Sequence, residues 1–211
     1  MPTFGVLGSG DVGQVLAKGL KDHGYEVRIG SRTPAKLATY SRETGIAAGT
    51  FAEVARWGEA LVLSVKGSAA ESVLRIVGKE VGGKLVIDTT NPLTEDPPEQ
   101  GVLRSFTGPD ESLMERLQQA YPAAHFVKAF NSVGSARMVD PDFQGVRPTM
   151  FYCGNDAAAK ATVARILDQF GWDGADMGGA VAARAIEPLA TLWCIPGFLQ
   201  GSWTHAFKLL R

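Results

Sequence analysis

The chain has 211 residues, with 21 Lys+Arg against 22 Asp+Glu, 45% hydrophobic residues and 20% charged residues. This is the composition of an ordinary globular protein, long enough for one domain whose core needs no disulfide or metal staple. A net charge of −1 offers no broad field for nucleic acid or anionic lipid, and no apolar run approaches the roughly 18 residues that span a bilayer. The opening Met1-Pro2-Thr3-Phe4 has neither the basic nor the apolar segment of a secretory signal. Cys153 and Cys194 sit among apolar neighbours without metal-ligand spacing. The expectation is a cytoplasmic protein with a small-molecule substrate, no nucleic-acid or membrane partner, and no bound metal.

Short apolar runs alternate with stretches of helical period, the pattern of βαβ units in an α/β fold with a doubly wound, mostly parallel sheet. Residues 3–7 read as a strand, after which Val12, Val15, Leu16 and Leu20 recur at helical spacing up to His23-Gly24. Further strands are predicted at 25–29, 46–48, 61–65, 85–88, 126–129, 150–153 and near 175–177. Helices are predicted from Pro34 and over 51–57, 69–77, 111–120 and 157–170. Residues 92–109 show no periodicity and read either as a loop over a site or as a surface excursion. The sheet domain takes residues 1–178. Residues 179–211 form an apolar extension that is not an independent domain. Its Trp193, Phe198, Trp203 and Phe207 must pack on the sheet, on a second subunit or around a flat ligand.

The most informative segment is Gly8-Ser9-Gly10-Asp11-Val12-Gly13, placed between a predicted strand and a predicted helix. The first glycine permits the tight turn, the second lets backbone approach a pyrophosphate, and the third lets helix and strand pack closely. The helix start then offers free N–H groups and the positive end of its dipole. The segment predicts dinucleotide binding. Which dinucleotide is told by the end of the second strand, where an NAD site carries an acid for the ribose 2′-OH. Here stand Gly30-Ser31-Arg32-Thr33, with Lys36 one turn further on and no acid. A guanidinium and an ammonium attract a 2′-phosphate, so NADP(H) is the expected cofactor.

Groups to handle a proton are scarce. No tyrosine is followed four residues later by lysine. Of the three histidines, His23 reads as a cap residue, His125 as the polar start of a strand, and His205 as a core residue of the tail. Hydride transfer to a flavin or deazaflavin needs two flat rings held face to face more than it needs a protein acid, and the aromatic tail could supply one wall of that slot. A reductase of a small imine or carbonyl compound would need a proton donor, for which Asn131, Lys66 and His205 are the candidates. A non-catalytic NADP(H) sensor is the third reading.

With these motifs the sequence resembles the NADP oxidoreductases that depend on the deazaflavin coenzyme F-420, in particular their small bacterial members. The matching residues include Val6-Leu7-Gly8-Ser9-Gly10, Ile29-Gly30-Ser31-Arg32-Thr33-Pro34, Asp88-Thr89-Thr90-Asn91-Pro92, Val127-Lys128-Ala129-Phe130-Asn131-Ser132 and Ala185-Ile186-Glu187-Pro188. The first two motifs also look like the NADPH domain of six-transmembrane metalloreductases. The resemblance implies a Rossmann-like domain with a helical C-terminal extension that pairs two subunits as a homodimer. It implies that Ser9, Asp11, Val12, Ser31, Arg32, Thr33 and Lys36 hold the adenosine and phosphate end of the cofactor. It places Ser64, Val65, Lys66, Asn91 and Pro92 on the nicotinamide side, and Ala129, Asn131 and Ser132 beside the ring that exchanges hydride. The acceptor implied is F-420 or a free flavin such as FMN or FAD. Archaeal members tend to carry histidine where this chain has Asn131, which leaves the acceptor open.

Overall fold

The structure, a computed structural model, describes residues 2–210. Eight strands, β1 (Phe4–Leu7), β2 (Val27–Gly30), β3 (Ala47–Gly49), β4 (Ala60–Leu63), β5 (Leu85–Asp88), β6 (His125–Lys128), β7 (Thr149–Gly154) and β8 (Asp173–Asp176), form one sheet in the spatial order β3-β2-β1-β4-β5-β6-β7-β8. All pairs are parallel except β6 with β7. The helices are α1 (Asp11–Asp22), α2 (Ala38–Thr44), α3 (Phe51–Trp57), α4 (Gly67–Val77), α5 (Leu113–Ala120), α6 (Ala157–Gln169), α7 (Ala183–Ile186) and α8 (Pro188–Gln200).

The two-residue period of the strands sorts the core into two layers. Phe4, Val6, Val62, Ile87 and Val127 face Leu16 and Leu20 of α1 and Val163 and Ile166 of α6. Leu7, Leu61, Leu63, Val86 and Phe126 face α3, α4 and α5 through Val54, Leu74 and Leu117. The strand order reverses between β1 and β4, so the crossovers diverge there and leave a crevice at the carboxyl ends of the strands. The expected doubly wound α/β architecture is what forms.

Three local differences have physical causes. Strand β2 starts at Val27 because Tyr25 belongs to the preceding turn, its N–H donating to Leu20 O at 3.0 Å and its hydroxyl to Gln169 at 2.7 Å. Pro34 opens a 3₁₀ turn (Pro34–Leu37) that leads into α2. The C-terminal extension is helical only to Gln200. Gly201 turns left-handed at φ 70°, and the irregular stretch beyond it returns to the sheet, where Phe207 O accepts from Thr149 N at 2.8 Å.

Candidate active site

Two adjoining clefts run along the carboxyl ends of β1, β2, β4 and β5. The first, about 530 Å³, is lined by Gly10, Asp11 and Val12 at the start of α1, by Thr89, Thr90 and Asn91 beyond β5, by Leu93, Glu95 and Leu103 of the 92–109 segment, and by Ser135. The second, about 400 Å³, is lined by Gly8, Ser9, Ser31, Arg32, Thr33, Lys36 and a face of α4 ending at Ile76. Both share Gly10, Ser64, Val65 and Lys66, which makes them one groove. The 92–109 segment, pinned by short bridges Leu93–Ser105 and Glu99–Val102, is therefore a wall of the site.

The glycine turn is built by close approach. A Cβ on Gly8, whose φ is +148°, would lie 2.1 Å from Ser64 O, and one on Gly13 would lie 2.1 Å from Gly8 O. Gly10 differs, since a Cβ there would meet nothing within 4 Å. Gly10 is extended and no side chain caps the first N–H groups of α1, so unpaired donors face open space where a pyrophosphate fits. At the end of β2 the buried Ser31 Oγ accepts from Ser9 Oγ and from Thr33 N, both at 3.1 Å. Arg32 and Lys36 are exposed, and their side chains have no hydrogen bond or ion pair among the described residues. Partnerless cations beside an uncapped helix start suit the 2′-phosphate and pyrophosphate of NADP.

In the other half the polar groups are largely committed. Ser64, Thr89 and Thr90 donate their hydroxyl protons to Leu7 O, Leu63 O and Asp88 Oδ1. Lys66 Nζ lies 2.6 Å from Glu95, whose other oxygen takes a bond from Ser68 at 3.3 Å. The Lys66 ammonium holds the Glu95 carboxyl below the usual carboxylate range. Asn91 and Asn131 bond reciprocally: Asn131 Nδ2 donates to Asn91 Oδ1 at 3.0 Å and Asn91 Nδ2 to Asn131 O at 2.8 Å. Asn131 Nδ2 also donates to Ile186 O at 2.9 Å, and its buried Oδ1 has no hydrogen-bond partner among the described residues. Phe130 just before it takes a left-handed φ of 61°, a strain of about 1–3 kcal/mol that aims this turn.

Asn91 thus lines the groove, while Asn131, Ser132 and Ala129 are buried behind its wall. Asn131 reaches the groove through Asn91. Pro92 lines a separate, smaller hollow of about 150 Å³ against Pro188 and Thr191. Of the placements left open for the tail aromatics, the groove is not taken within one copy of the chain: Trp193, Phe198, Trp203 and Phe207 do not line it. Trp193 packs on Trp203 and His205 at centroid distances of 5.6 and 5.0 Å, and against Gly134. His205 bonds Trp193 O at 2.9 Å, His23 pairs with Asp140 at 3.2 Å, and His125 lies 3.6 Å from Asp156; none reaches the groove.

Sequence reasoning missed a buried ionic cluster behind the groove. Lys128 Nζ lies 2.7 Å from Asp88 and 2.8 Å from Glu187, and donates to Thr90 O at 2.7 Å, with all three charged side chains inaccessible or nearly so. Glu187 also accepts from Leu113 N and Met114 N at 2.9 and 3.0 Å, which caps α5. Burial works against the charge on Lys128, but the two carboxylates outweigh it and raise its pKa. Two charged residues in otherwise apolar stretches, Lys128 in β6 and Glu187 before α8, were the available signal.

A dinucleotide turn at a topological switch point, facing two cations where an NAD enzyme needs an acid, defines an NADP-dependent oxidoreductase of the Rossmann type. Residues 3–92 match the family described as NADP oxidoreductase, coenzyme F-420-dependent. A crystal structure of a candidate F-420-dependent NADP reductase from Arthrobacter sp. FB24 superposes with a TM-score of 0.93 at 33% identity, covering 100% of both chains. The chain belongs to this family. The rat (Rattus norvegicus) Metalloreductase STEAP3 is 30% identical over 202 residues, 94% of this chain but 39% of its own length. An imine reductase from Streptomyces aurantiacus shares the fold at 21% identity and a TM-score of 0.65, over 93% of this chain and 63% of its own. No helix among the described residues is long and apolar enough to cross a membrane.

Proposed function

We propose that this protein transfers hydride between NADP(H) and a flavin-like ring, either the deazaflavin F-420 or a free flavin, in the cytoplasm. The observation that carries the reading is the contrast within one groove. Among the described residues, one half has an open glycine turn and partnerless Arg32 and Lys36, and the other has no histidine, tyrosine or cysteine in its lining. Bound NADPH supplies the hydride, and an oxidised flavin-like ring takes it up with one proton from water, leaving NADP⁺ and the dihydro ring. In this reading Ser9, Ser31, Arg32, Thr33 and Lys36 hold the adenosine phosphate, and the N–H groups after Gly10 hold the pyrophosphate. Val12, Ser64, Val65, Lys66 and Asn91 shape the nicotinamide end, with Asn131 fixing Asn91. The protein orients the rings, and solvent in the open groove supplies the proton.

The test is absorbance at the nicotinamide band with NADPH and, separately, F-420, riboflavin, FMN, and panels of carbonyls and imines. Oxidation by a flavin-like acceptor is the expected result. Oxidation only by carbonyls or imines, or tight cofactor binding without turnover, refutes it. We also infer that two copies pair through α8, whose Leu192, Phe198 and Leu199 are exposed. Leu199→Asp should then halve the sedimenting mass; a monomeric wild type at micromolar concentration rules the pairing out.

A further inference from the structure

The Thr90–Asn91 turn lines the first cleft and is held from behind through most of its polar atoms. Thr90 N and Oγ1 donate to Asp88 Oδ1 at 2.9 and 2.7 Å, and Thr90 O accepts from Lys128 Nζ at 2.7 Å. Asn91 O accepts from Leu93 N at 2.8 Å and lies so close to the start of α4 that a Cβ on Gly67 would come within 1.9 Å of it. The Asn91 side-chain amide is held by Asn131. Lys128, wholly buried and not part of the groove lining, also holds Asp88 and Glu187. Two buried carboxylates thus share one ammonium. Without it they repel, and Asp88 cannot move or take a proton without disturbing Thr90. Three buried charges are a poor device for stabilising a core, since apolar residues of similar volume serve as well or better. Their bonds into the groove wall are what apolar side chains could not supply.

We propose that Lys128 is a positioning residue for the nicotinamide end of the cofactor: through Thr90 O and Asp88 it sets the turn against which that end rests, without touching the cofactor. The inference rests on the reading that places the nicotinamide beside Asn91, and it names what holds that residue in place. Glu187 completes the arrangement from the C-terminal extension, so the seat for the ring is set jointly by β5, β6 and the residue before α8. The adenosine end stands apart from the cluster. Ser9 and Ser31 bond to each other, and among the described residues no hydrogen bond or ion pair joins Ser9, Ser31, Arg32 or Lys36 to Asp88, Lys128 or Glu187. Disturbing Lys128 should therefore separate the two ends of the cofactor. A loosened turn loses the equivalent of roughly one good hydrogen bond, about fivefold to tenfold in affinity, at the nicotinamide end alone.

The experiment titrates two probes by calorimetry: NADPH, which spans both ends, and adenosine 2′,5′-bisphosphate, which fills only the adenosine end. Wild-type protein should bind NADPH at least about fivefold more tightly than the bisphosphate. Lys128→Met keeps a long apolar side chain and removes the charge. In it NADPH should weaken at least about fivefold and the bisphosphate less than about twofold. A role confined to stability lowers the folded fraction and weakens both probes alike. Thr90→Val is the second variant. The Thr90 hydroxyl is buried and given to Asp88, so its removal loosens the turn while Lys128 and its two carboxylates stay paired. NADPH should then weaken about threefold and the bisphosphate not at all. Equal weakening of the two probes in Lys128→Met, or no weakening of either, overturns the proposal. Should that variant not fold, an unchanged ratio of affinities in Thr90→Val overturns it. A wild type that binds both probes equally removes the nicotinamide seat from this turn and the proposal with it. One that binds neither refutes the hydride-transfer reading itself.

Discussion

Replacing Arg32 with alanine removes a charge that the protein itself does not use. The side chain is exposed and has no ion pair among the described residues, so the substitution strands no carboxylate. Folding stability should stay within about 0.5 kcal/mol of the parent. The loss falls on the bound phosphate. A hydrogen bond to a charged group contributes about 1.5–3 kcal/mol, and exposure to screening solvent places this pair at the lower end. Lys36 and the buried Ser31 hydroxyl remain in the same cleft, so the site is weakened and not abolished. About 1.5 kcal/mol is roughly a tenfold rise in the NADPH dissociation constant. NADH lacks the 2′-phosphate and should change less than about twofold. Calorimetric titration of both cofactors on both proteins measures this directly. Equal weakening of NADPH and NADH, or no weakening of either, would refute the assignment of the second cleft to the 2′-phosphate.

Two glycines of the turn should separate folding from binding. Gly10→Ala places a methyl in open space and should leave Tm within about 2 °C while raising the NADPH dissociation constant at least about tenfold; Gly13→Ala, 2.1 Å from Gly8 O, should lower both stability and affinity, and identical behaviour of the pair would contradict this account of the turn. Lys128→Ala leaves two buried carboxylates unpaired and should cost about 3–5 kcal/mol, roughly 10 °C in Tm for a chain of this size; a loss under about 1 kcal/mol in urea denaturation would show that the cluster is not coupled as its distances imply. Burial pushes the Cys153 thiol from 9.0 up to about 12. The native state therefore resists ionisation while the unfolded chain does not. Stability should be complete below pH 9 and fall between pH 9 and 12 by up to about 4 kcal/mol, with Lys128, also raised, adding to the fall above 10.5; equal stability at pH 8 and 11 would exclude this.

Much of the fold was legible because its signals are local. Strand β5 and helix α3 fall at their predicted bounds, since an apolar run and a Thr50–Glu53 capping box are complete within a few residues. The glycine turn was legible for the same reason. The Asp88–Lys128–Glu187 cluster was not, because its members lie 40 and 59 positions apart in chain order and only the sheet brings them together. Nor does composition reveal that Trp193 would turn to Trp203 and His205, away from the groove. The buried seat of Asn131 depends on the left-handed turn at Phe130, a conformation that an aromatic residue does not advertise.

Glu187 belongs in sequence to the C-terminal extension, yet it caps α5 and completes the charge balance of Lys128. The nucleotide-binding layers should therefore not pack fully until Glu187 can reach Lys128 and the start of α5. A fragment ending at residue 178 should bind a hydrophobic dye and lack sharp amide dispersion, even though every strand of the sheet is present in it. That outcome would make the sheet and its extension a single cooperative unit, and a graft that moved the cofactor site into another protein would then have to carry both.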